Sequence, residues 1–138
     1  MSTRIITFAD GFSSASAPAD AGISRENYLI LNNTTAGALF TIDQSLSKSM
    51  FADYELRRNT SLGVFIQTGS FTLVYDGAWS ISYGNFSGSD MIQDTIVNTE
   101  HIKLMLNTAT GALTYDSGNM SGTGYTGTFK LNATRTSV

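Results

Sequence analysis

An antiparallel all-β sandwich of jelly-roll type is the fold class this sequence predicts, on three observations. Apolar and polar residues alternate with period two in segment after segment, and no helical spacing of useful length competes. Clusters of Gly, Asn, Asp, Ser and Thr separate those segments, as turns require. Charged residues are 14% of the chain, against about 25% in an ordinary soluble domain, so hydroxyls, amides and glycine must build the surface.

In chain order the alternation predicts strands over residues 4–8, 27–31, 38–45, 50–58, 62–67, 70–74, 78–83, 101–106, 112–116 and 125–133. Residues 11–22, GFSSASAPADAG, are small and polar and carry the only proline. Residues 1–22 therefore read as a first strand and a polar arm, and residues 23–138 as one sandwich domain. In the strand over 50–58, Met50, Ala52, Tyr54 and Leu56 share one side, while Asp53, Glu55 and Arg57 share the other. The densest charge in the chain is thus the outer face of a strand.

The hairpin VYDGAW has two possible registers. A two-residue Asp76-Gly77 loop splits the apolar set between faces. A loop of Tyr75, Asp76 and Gly77 pairs Val74 with Ala78 and Leu73 with Trp79, and keeps one face apolar with Gly77 in the left-handed position. The second register is the one predicted. Nearer the C-terminus, Ile102, Leu104 and Leu106 alternate inward, NTATG turns, and ALTYDS returns as a second hairpin. The last strand sets Tyr125, Phe129 and Leu131 against Thr126, Thr128, Lys130 and Asn132.

A chain of 138 residues holds one core. A net charge of -3 supplies no basic field for nucleic acid. No run of about 18 apolar residues suggests a membrane span, and the N-terminus lacks the apolar core of a secretory signal. Without cysteine there are no disulfides, so packing or subunit association must supply stability. The sparse charge and the sandwich edges suit a homo-oligomer.

From residue 50 to residue 134 the order of pieces resembles a β-module of tailed-bacteriophage virion surface proteins, found in tail fibres and spikes and as small free-standing proteins. The pattern is carried by Tyr54, Leu56, Arg57, Arg58, Asn59 and Thr60, then Gly69, Leu73, Asp76 and Gly77, then Gly111, Leu113, Tyr115 and Asn119. The resemblance implies a non-enzymatic, oligomeric protein on the virion exterior, made in the host cytoplasm, with a trimer favoured over a dimer. Fibre versions end a long shaft, whereas no coiled-coil heptads occur in this sequence. The expectation is therefore a capsid decoration (cement) or head-spike protein contacting the major capsid protein or another virion protein. A fibre or spike tip that recognises a host-surface glycan is the alternative.

His101 falls on the polar side of a strand start with no local carboxylate or serine pattern, and is expected to be solvated. The eleven carboxylates are scattered, and no catalytic, metal or cofactor set is assigned. Adjacent strand residues face opposite ways, so one of Arg57 and Arg58 must point inward or at a neighbouring subunit. Strand-end snorkelling and an oxygen partner across a subunit contact are both open for Arg58. Phe8 and Phe12 flank the arm. With Arg57 and Arg58 they form the candidate interface.

Overall fold

The computed structural model describes residues 23–138, and the chain is all-β with antiparallel sheets. The expectations for the strand over 4–8, the arm, Phe8 and Phe12 lie outside the described residues. Nine strands occur among those described: β1 (Ile23–Leu29), β2 (Gly37–Thr41), β3 (Ser49–Thr60), β4 (Gly63–Tyr75), β5 (Trp79–Tyr83), β6 (Ser87–Gly88), β7 (Ile102–Leu106), β8 (Ala112–Ser117) and β9 (Thr126–Arg135).

The large sheet runs β1-β9-β3-β4-β5, with β6 also pairing β4; the small sheet runs β2-β8-β7. β1 pairs with β9 and β2 with β8, so the first and last strands among the described residues lie side by side. The meander β3-β4-β5 then stays within one sheet, so the layers are six strands and three instead of four and four. Met50, Ala52, Tyr54, Leu56, Phe71, Leu73, Phe129, Leu131 and Ala133 of the large sheet meet Leu39, Ile102, Leu113 and Tyr115 of the small one in a single core. Period-two alternation produced this most directly in β3, β8 and β9, where every second residue along most of the strand is buried.

Three details differ from the sequence reading. The two segments expected at 62–67 and 70–74 form one 13-residue strand, Gly63–Tyr75, that passes through Gly69. A Cβ at Gly69 would lie 2.7 Å from the Tyr54 hydroxyl oxygen, so glycine there makes room for the ring and does not break the strand.

The hairpin loop is Asp76-Gly77-Ala78, with Tyr75 opposite Trp79 and Leu73 opposite Ile81. The predicted faces survive because the shift is two residues, but the pairs move. Contacts beyond the hairpin select this register. Tyr75 N–H donates to Lys48 O at 2.8 Å and Trp79 N–H donates to Thr108 O at 2.8 Å, while within the hairpin the Tyr75 and Trp79 rings meet at 5.3 Å. Gly77 does take a positive φ of 79°.

His101 is buried, 7% exposed, and not solvated. It precedes β7 where the loop folds back, and its Nδ1 accepts the N–H groups of Val97 and Asn98, each at 3.2 Å.

Candidate functional site

The charged run of β3 divides as alternation requires. Asp53, Glu55 and Arg57 lie on the outer face, where Arg57 and Glu55 approach to 4.0 Å with both side chains well exposed, a pair worth little in water. Arg58 lies on the inner side and is 0% exposed. Its partners are in its own chain. Nε donates to the Tyr125 hydroxyl at 3.0 Å, Nη1 to Thr99 O at 3.0 Å and His101 O at 3.4 Å, and Nη2 to Asn32 Oδ1 at 2.9 Å and Gly118 O at 2.8 Å. The guanidinium fork thus ties the segment after β1, the loop before β7 and the segment between β8 and β9 into one end of the sandwich. Neither snorkelling nor an intersubunit bond describes it: the cation is an internal tie.

Gln67 does a similar task from β4. Its amide donates to the Tyr54 hydroxyl at 2.8 Å and its oxygen accepts the N–H groups of Met91 at 2.6 Å and Ile92 at 3.1 Å. A third polar cluster closes the β1 side. Arg135 of β9 holds Glu26 of β1 with both forks, at 2.5 and 3.1 Å, and Tyr28 O–H donates to the same carboxylate at 2.5 Å. Burial pushes the Glu26 carboxyl up, but the bonds from Arg135 and Tyr28 and the Arg135 charge outweigh it, and the net shift is downward. Burial first, and then the Glu26 carboxylate, push the Tyr28 hydroxyl up.

Sequence reasoning missed Gln67, Glu26 and Arg135. A signal existed for the last: extending the inward set Phe129, Leu131, Ala133 by one step places Arg135 inward, where a cation needs an acid.

The outer face of the large sheet is the broad exposed surface that remains. Cross-strand rows Arg25-Asn132-Asp53-Ser70 and Asn27-Lys130-Glu55-Thr68 cross its middle, over a shallow depression between β1 and β3. Donors from Arg25 and Lys130 stand beside acceptors from Asp53 and Glu55, so the face can hydrogen-bond a polar protein surface or a hydroxyl-rich ligand without enclosing it. At the far end of the sheet Tyr83 and Phe86 are nearly half exposed. Among the described residues no group of three or more His, Asp or Glu side chains could hold a metal ion, and no helix is long and apolar enough to cross a membrane.

No family model matches the chain, and no curated protein matches it. Two solved structures are similar. The tailspike protein of the Acinetobacter phage vB_ApiP_P1 aligns over 98% of this chain and 26% of its own, at 13% identity and a TM-score of 0.44. The tailspike protein of the Acinetobacter baumannii phage AM24 aligns over 88% of this chain and 27% of its own, at 14% identity and a TM-score of 0.37. The chain therefore spans about a quarter of each tailspike. Likenesses this slight leave its role to be argued from its own residues.

Proposed function

We propose that this chain is a non-enzymatic structural protein on the exterior of a tailed-phage particle, a capsid decoration or head-spike unit that grips neighbouring virion subunits and assembles as a homo-oligomer. The observation that carries the reading is that the residues of the virion-module pattern work together as framework. Arg58 ties the loop end, Tyr54 receives Gln67, Gly77 and Gly111 turn the hairpins with φ of 79°, and the Tyr115 hydroxyl accepts Leu31 N–H at 2.8 Å. With those residues committed to the scaffold, the wide outer sheet face, where Arg25 and Lys130 stand beside Asp53 and Glu55, is the surface offered to partners, suited to shape and hydrogen bonding.

A decoration protein distributes its binding over many sites, so its effect is resistance of the particle to heat and internal pressure. Particles lacking it are expected to adsorb to host cells normally and to burst at lower temperature. The exposed rings of Tyr83 and Phe86 favour a second reading, a fibre or spike tip that stacks on a host-surface glycan. Robust particles that no longer adsorb would replace the first reading with the second.

A further inference from the structure

The large sheet ends in β1, and the hydrogen bonding of β1 shows which of its backbone groups are free. Ile30 N–H donates to Gly127 O at 3.0 Å, in register with the β1-β9 ladder, so the bonded pairs above it are Tyr28 with Phe129, Glu26 with Leu131 and Ser24 with Ala133. Ile23, Arg25, Asn27 and Leu29 therefore aim their N–H and C=O groups away from the sheet, and among the described residues no strand receives them. The other edges are blunted. β5 and β7 have five residues each, β7 is bridged at its start by Ile92, and β2 has five residues broken by a register shift. β1 has seven, without a bulge, and exposes Ile23 and Leu29 at 70% each. An edge of that kind attracts another strand.

We propose that β1 is the contact of a two-fold homodimer, in which two β1 strands pair antiparallel about Glu26 and join their large sheets into one. The side chains select this register. Centred on Glu26, Ile23 faces Leu29 of the partner subunit and Arg25 faces Asn27 of the partner subunit, so apolar meets apolar at both ends and polar meets polar between. Centring on Arg25 would set that cation against its own copy, and centring on Asn27 would set Arg25 against the partner's Leu29. The chosen register also brings all four outward-aimed residues into bonded pairs, about eight new hydrogen bonds in all. It places Glu26 beside the partner's Glu26, and the bidentate grip of Arg135 on each carboxylate removes the repulsion that would otherwise forbid the pairing.

Sedimentation equilibrium on the full chain tests this with two variants, Ile23→Lys/Leu29→Lys and Ile23→Glu/Leu29→Glu. Wild type is expected to associate reversibly to twice the 14.8 kDa chain mass. Each variant alone places like charges in both end pairs and is expected to stay monomeric, while an equimolar mixture pairs Lys with Glu and recovers the dimer. Trp79 emission, from a side chain buried in the core, reports that each variant is folded. A wild type that is monomeric at every concentration, a wild-type trimer, or variants that dimerise alone as wild type does would each overturn the proposal.

Discussion

Arg58→Met offers a sharp test of how the loop end of the sandwich is held. The substitution keeps an unbranched, mostly apolar side chain in the core but withdraws five hydrogen bonds. Three of the acceptors keep another donor: Gly118 O has Asn33 N–H, His101 O has Gly118 N–H, and Asn32 Oδ1 has Met120 N–H. The Tyr125 hydroxyl still donates to Ile30 O. Thr99 O loses its Arg58 donor from a part-buried bond, at a cost of about 1 kcal/mol. Weakening of the shared acceptors and imperfect filling of the space add about 2–3 kcal/mol. Relief from burying a cation with no carboxylate partner offsets part of this. The expected net loss is about 2–4 kcal/mol, a large share of the 5–15 kcal/mol typical of a domain. Urea unfolding followed by Trp79 fluorescence should show a midpoint about 1–2 M lower. Amide exchange should accelerate first in residues 97–101 and 118–120. A midpoint within about 0.3 M of wild type, with protection in those segments unchanged, would refute the idea that the guanidinium ties the loops.

Four further outcomes follow from particular contacts. Because the folded-state pKa of Glu26 is depressed, its contribution to stability is present above the unfolded value near 4.5 and is lost as pH falls through the lower folded value; Glu26→Gln should flatten that part of the acid-unfolding profile. Glu26→Gln should also destabilise the fold at pH 7, by about 2–3 kcal/mol, since it leaves the Arg135 cation without its acid. Gly37 lies under the Tyr115 ring, where a Cβ would sit 2.4 Å from a ring carbon, so Gly37→Ala should cost about 2–3 kcal/mol in chemical denaturation. Ala36 has a φ of 53°, a left-handed conformation that glycine adopts without strain, and Ala36→Gly should raise stability by about 0.5–1 kcal/mol, read as a higher melting temperature.

Alternation along the chain by itself determined the all-β class, most strand positions, and the sides that Tyr54, Leu56, Phe129 and Leu131 present to the core. That information is local: a strand exposes its two faces in strict turn, so burial of one face is written at period two. It also placed the carboxylates and Arg57 of β3 outside, and required Arg58 to point the other way. What Arg58 would meet there was not readable, because its partners lie between 26 and 67 residues away, on segments whose approach depends on both sheets closing. The same reason hid His101, which the strand pattern set on a polar side and the returning loop covers with the N–H groups of Val97 and Asn98. Two registers of the β4-β5 hairpin with the same parity bury the same faces, so alternation could not choose between them. Lys48 O and Thr108 O, which accept the N–H groups of Tyr75 and Trp79, come from outside the hairpin and decide it. The pairing of β1 with β9 is likewise a contact between opposite ends of the domain. It leaves Ile23, Arg25, Asn27 and Leu29 on the rim of the sheet, where their outward hydrogen-bonding groups are a property of the assembled sheet and of no segment alone.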